Sequence, residues 1–263
     1  MQVLQRSIDI CDSEVQVTWS RSLAVEQVIL SMHQHLQEPL SLEDMADIAH
    51  LSPYYFNRVF RRLIGIPPGE FFAALRLDEA KRLLLSTSLS VTDVCFELGY
   101  ASLGSFTSRF TQLVGISPRH LRYCAINVAP PAFPVPDDSA VTVEALYRAP
   151  GLTGTITTPP TFIGRIYVGL FPKPIPQGMP VRCIALAASG PYSITDIPDG
   201  TYYVLVAALP MSQSQYPSSA PLLVGTGRES VQIYNGHGLA TVDVTLRPPR
   251  LTDPPLILAL PYV

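Results

Sequence analysis

Tyr54, Asn57, Arg58 and Arg61 recur at intervals that bring them to one side of an α-helix. An asparagine there can bond the N6/N7 edge of adenine with two hydrogen bonds, and an arginine can do the same at O6/N7 of guanine. Arg61 and Arg62, one turn on, suit phosphate, which holds register and carries no sequence information. A poorer set follows about fifty residues later: Leu103, Gly104, Thr107 and Ser108, with Arg109 beside them. Leu103 can meet only a thymine methyl, and Gly104 offers backbone alone. Thr107 and Ser108 can bond base or phosphate. A solvated face with ordinary surface arginines is the plain alternative.

Other chemistry is poorly represented. There is no G-x-S-x-G and no C-x-x-C; Cys11, Cys95, Cys124 and Cys183 lie far apart and read as free thiols. His33 and His35 are two apart and so point to different sides of a helix. His237 sits in an N-G-H-G turn without partners at metal spacing. Tyr147, Tyr167, Tyr192, Tyr202, Tyr203, Tyr216 and Tyr234 can line an aromatic pocket, though packing on strand faces is the simpler reading. No catalytic set, cofactor or metal is expected.

The elements that must hold the first two sets form an internal repeat. Residues 41–72 read SLEDMADIAHLSPYYFNRVFRRLIGIPPGEFF, and residues 90–122 read SVTDVCFELGYASLGSFTSRFTQLVGISPRHLR. Ser41 and Asp44 predict a variant capping box for a short helix, which buries Leu42, Met45, Ala46 and Ala49. His50-Leu51 is the turn. Ser52 is expected to cap the next helix, with Pro53 at its first position; Phe56, Val59, Phe60 and Leu63 face inward, and Gly65 stops it. Residues 68–86 read as a connecting helix. The second unit repeats this plan, with Ser102 as cap, Phe106, Phe110 and Leu113 inward, and Gly115 as the stop. A helix over 21–37, with Leu23, Val28, Ile29, Met32 and Leu36 on its apolar side, precedes both units. The helix starts at Ser52, at Ser102 and after Pro118, where Arg119 lies, are expected near phosphate.

This half resembles the DNA-binding domain of AraC/XylS-type transcriptional regulators, on the strength of both units, the connecting helix and both G-I-x-P turns together. The resemblance implies seven helices in two helix-turn-helix subdomains, with both recognition helices in successive major-groove segments. It places Tyr54, Asn57 and Arg58 at base-reading positions. Two residues depart from the family pattern: His50 stands where a turn glycine is usual, and Cys95 where alanine is usual.

Bulk properties agree. The 263 residues allow two cores, and 47% are apolar. The net charge of −3 excludes a generally basic protein. Yet residues 52–125 hold nine cations (Arg58, Arg61, Arg62, Arg76, Lys81, Arg82, Arg109, Arg119, Arg122) against Glu70, Asp78, Glu79, Asp93 and Glu97. Only five of the 26 prolines precede residue 126. Beyond it, strand-like alternation punctuated by Pro and Gly predicts an antiparallel β-sandwich. Its GPYSITDIPDGTYYVLVAAL segment resembles transthyretin-like and carboxypeptidase-regulatory-like domains, with Asp199-Gly200 as the turn.

The organisation expected is α then β: an arm at 1–20, an all-α AraC-type domain at 21–126 (units at about 41–64 and 90–114), a Pro-rich linker at 127–140, and a β-sandwich at 141–263. The partner expected is double-stranded DNA. The β half is expected to sense a small-molecule effector or to form a homodimer. No span or leader is evident, so a cytoplasmic location and no membrane partner are expected. A carbohydrate-binding or enzymatic β-sandwich with a helical appendage is the alternative, and it lacks paired carboxylates or an activated nucleophile.

Overall fold

The computed structural model describes residues 21–127, 151–210, 222–227, 229–238 and 240–259. The expected arm and linker lie outside these, as do Tyr147 and Tyr216. Seven helices lie in the described residues: α1 (21–34), α2 (Leu42–Ile48), α3 (Pro53–Ile64), α4 (Pro68–Ser86), α5 (Val91–Glu97), α6 (Leu103–Val114) and α7 (Pro118–Asn127). Contacts divide the chain into two units inside α4, between Arg76 and Leu77, with Leu251–Asp253 joining the first unit.

Local chemistry explains the repeated helix ends. The Ser41 N–H donates to Asp44 Oδ2 at 2.9 Å, and the Asp44 N–H donates to Ser41 Oγ at 3.1 Å. Ser90 and Asp93 repeat the box at 2.9 and 3.0 Å. These bonds to the ionised carboxylates hold both aspartates below the usual range. Both short helices then stop in a Schellman motif. The Leu51 N–H reaches Ala46 O at 3.0 Å, and the Tyr100 N–H reaches Cys95 O at 3.1 Å. The residue that turns the chain has φ 53° in His50 and 69° in Gly99. His50 therefore occupies a left-handed position that His tolerates at a modest cost. Gly65 (φ 91°) and Gly115 (φ 94°) stop the two longer helices as expected.

Several expectations fail. α1 ends at residue 34, so Leu36 lies past it, and Leu23 is 54% exposed because the buried stripe is Val25, Val28, Ile29 and Met32. Leu63 is 42% exposed and Leu113 only half-buried. Ile64 and Val114 are buried in their place, beside the glycine where the chain reverses and carries Ile66 inward. Ser52 occupies the cap position of α3 but makes no side-chain cap bond; Ser102 does cap α6, accepting from the Ser105 N–H at 3.2 Å.

In the first unit, the Phe60 ring meets Phe56 and Phe71 edge-on, each at 5.6 Å between centroids. In the second, Phe106 packs against Tyr100 at 5.0 Å and Phe110 at 5.6 Å.

The second unit continues into an antiparallel β-rich region. One sheet has the order β4 (Gly190–Thr195), β1 (Gly151–Thr157), β9 (Val244–Thr245). The other has the order β3 (Arg182–Leu186), β2 (Gly164–Phe171), β5 (Gly200–Pro210), β7 (Val231–Tyr234), β8 (His237–Gly238), and β6 (Leu223–Thr226) also pairs with β5. Every strand pairing but one is antiparallel; β1 and β9 run parallel. β9 is short, and on either side of it the Val242 N–H and the Leu246 N–H bond singly to the β1 carbonyls of Thr153 and Thr157. Asp199-Gly200 is not a hairpin turn: β4 and β5 belong to different sheets, and 196–199 carries the chain from one to the other. Asp199 Oδ1 instead accepts the Gly236 N–H at 3.1 Å. The Asn235-Gly236 pair (φ 51° and 76°) makes the β7–β8 hairpin, and His237 belongs to β8, just past that turn.

Leu152, Ile166, Val168, Val204, Tyr192 and Tyr202 join one core that draws on both sheets. Two of the candidate pocket tyrosines are thus packing residues. The Tyr192 hydroxyl donates to Val242 O at 2.8 Å, and burial raises its pKa.

The β region also reaches the second helical subdomain. The Gly178 N–H donates to Leu113 O at 2.7 Å, and the Ala259 N–H to Val114 O at 3.1 Å. Both acceptors are last-turn carbonyls of α6, which have no partner inside the helix. Lys81 Nζ of α4 donates to Leu256 O at 2.6 Å and lies 3.4 Å from Asp78; burial pulls its pKa down. No helix among the described residues is long and apolar enough to cross a membrane.

Candidate nucleic-acid interface

On α3 the buried side (Phe56, Val59, Phe60, Ile64) leaves Tyr54, Asn57, Arg58, Arg61 and Arg62 on the remaining surface. Tyr54 is 79% exposed, and the three arginines are exposed. Asn57 is half-buried, and its Oδ1 is turned inward, buried without a hydrogen-bond partner, so the side chain must rotate before that oxygen can meet a base. The Arg58 guanidinium rests over the Tyr55 ring at 5.1 Å from its centroid. Lys81 pairs with Asp78 and Arg82 with Glu79 on α4. Arg58, Arg61, Arg62, Arg109 and Arg119 make no ion pair with the carboxylates of α4, Asp78 and Glu79, which are taken by Lys81 and Arg82. The first turn of α3 holds no acid, and the uncapped Ser52 leaves its hydroxyl available. Such a face attracts a polyanion and presents planar donors to it.

α6 is chemically thinner. Leu103 is 39% exposed, Ser108 and Arg109 are exposed, and Thr107 is half-buried. Thr111 turns its hydroxyl back to Thr107 O at 2.7 Å. The Ser102 hydroxyl is engaged as the cap and by Ser105 Oγ at 2.8 Å. Gly104 differs: an added Cβ would meet nothing within 4 Å. Its own fold does not demand glycine. Gly104→Ala should therefore stabilise the chain modestly, by less than the roughly 1 kcal/mol of a helix interior, because Gly104 lies in the first turn of α6. It should also weaken duplex binding if a partner's backbone approaches there. Thermal unfolding and binding titration check the two halves; unchanged binding would remove Gly104 from the interface.

Sequence reasoning missed Arg21, whose guanidinium lies 5.6 Å from the centroid of the same Tyr55 ring. That contact joins positions 34 residues apart, and no periodicity announces it. No group of three or more His, Cys, Asp or Glu placed to hold a metal occurs among the described residues.

A family profile described as "Helix-turn-helix domain" matches residues 45–123. The chain is 39% identical over 94 residues to the uncharacterized HTH-type transcriptional regulator YobQ of Bacillus subtilis, a match covering 36% of this chain and 39% of that protein. It is 33% identical over 101 residues to the HTH-type transcriptional activator AarP of Providencia stuartii, covering 38% of this chain and 75% of that one. Among solved structures, a Chromobacterium violaceum transcriptional regulator with an AraC-type DNA-binding domain is 28% identical. That likeness covers 40% of this chain and 93% of the other, with a TM-score of 0.38. This chain thus spans about two fifths of YobQ and three quarters of AarP.

Proposed function

The chain belongs to the AraC-type helix-turn-helix transcriptional regulators, and on that premise we propose that it binds duplex DNA sequence-specifically through α3 and α6, each in a major-groove segment. The carrying observation is the α3 face, where Tyr54, Asn57, Arg58, Arg61 and Arg62 stand together without a carboxylate. In this reading Tyr54, Asn57 and Arg58 meet base edges, while Ser52, Arg61 and Arg62 hold phosphates. Leu103, Gly104, Thr107 and Ser108 read shape and methyl groups in the second segment, with Ser102, Arg109 and Arg119 at the backbone. Most sequence discrimination then resides in the first unit. Selecting bound duplexes from a random pool with the full chain, then exchanging base pairs in each half of the selected site, tests this. Larger losses in the half facing α3 are expected; equal losses in both halves would refute the division.

The β region serves in this proposal as the regulatory part, as a sandwich that senses a small-molecule effector or pairs two chains. The single core fed by both sheets supports the sandwich reading. A regulatory signal needs an interaction that differs between DNA-competent and incompetent states. The Gly178 and Ala259 bonds to the end of α6 supply a physical link for it. Gly178 has φ 66°, which β-branched residues avoid. Gly178→Val should therefore lower amide-exchange protection in the last turn of α6 and leave β2 and β5 protected. Unchanged exchange in α6 would show that the link carries nothing.

A further inference from the structure

We infer that Arg21, outside both helix-turn-helix units in sequence, is a DNA phosphate contact that works together with Arg58 around the Tyr55 ring; the inference rests on the DNA-binding reading above. Two guanidinium groups converge on one half-buried tyrosine, at 5.6 and 5.1 Å from its centroid. Neither makes an ion pair among the described residues. Both contacts are with cations, and a cation–π contact at an exposed site is weak, so neither guanidinium is held there firmly. An anion brought beside Arg21 would supply the counter-charge that no ion pair among the described residues supplies. The anion is most simply a duplex phosphate, because Tyr55 and Arg58 share α3 with the exposed Tyr54, Arg61 and Arg62, and that helix carries no acid. When Arg58 leaves the ring to reach a base edge, Arg21 keeps the ring and meets the adjoining backbone. Arg21 is thus a positioning residue that carries charge but no sequence information.

The test measures affinity of the full chain for its selected duplex and for a scrambled duplex as salt is varied. Arg21→Ala and Arg21→Gln should weaken both duplexes by the same several-fold factor, and should lower the log–log salt slope by about one. Arg21→Lys, which keeps the charge, should restore most of the slope. An unchanged slope in Arg21→Gln, or a loss confined to the selected duplex, would overturn the inference. If the unaltered chain binds neither duplex, the DNA-binding reading fails and takes this one with it. If the unaltered chain binds selectively and Arg21→Gln matches it, only this inference fails.

Discussion

Replacing Phe60 with alanine is expected to unfold the first helix-turn-helix. The ring is fully buried and meets two other rings edge-on, one on its own helix and one on α4. Removing it leaves a cavity between helices that cannot close without moving their backbones. Phe→Ala at such a site costs about 3–5 kcal/mol, which is a large part of a domain's total of about 5–15 kcal/mol. The chain comprises two contact units, so one melting temperature would blur the effect. Amide exchange resolves it: protection should collapse across α2 and α3, while β2 and β5 in the other unit stay protected. Retained protection of α3 would mean that the ring contacts do not hold that subdomain together.

Removing the Arg58 guanidinium is expected to change which DNA is preferred more than how stable the protein is. Its side chain is exposed and its guanidinium rests over the Tyr55 ring, a contact of small energy, so Arg58→Ala should leave the unfolding curve nearly unmoved. A bidentate arginine–guanine pair contributes about 1–3 kcal/mol of discrimination, so tolerance should relax by roughly 5- to 150-fold at one base pair. Arg61→Ala and Arg62→Ala supply the contrast: they should weaken every duplex alike. Titrations against single-substituted sites distinguish these outcomes. A uniform loss from Arg58→Ala would reassign it to the phosphates.

What could be read from the chain was what is local. The Ser41–Asp44 box and the Gly65 and Gly115 stops depend on neighbours three or four residues away, and they fold as their residue types require. The exposed set on α3 follows from where its phenylalanines lie. Features set by distant parts of the chain were not legible. Leu63 and Leu113 satisfy helical periodicity, yet chain reversal at the next glycine covers Ile64 and Val114. The parallel pairing of β1 with β9 joins positions almost ninety residues apart. Asp199-Gly200 has hairpin chemistry but lies where the chain changes sheets. The Arg21–Tyr55 contact and the Gly178 bond to α6 are long-range as well, and both bear on how the interface is held.

Hydroxyl-radical and methylation-protection footprints of the full chain on its selected duplex test the central claim most directly. The account predicts two protected major-groove segments on one side of the duplex, about one helical turn (roughly 10 base pairs) apart. The segment with the sharper base preference should lose that preference in Arg58→Ala. A footprint confined to one groove segment, or no enrichment of any sequence from the random pool even at low salt, would contradict it.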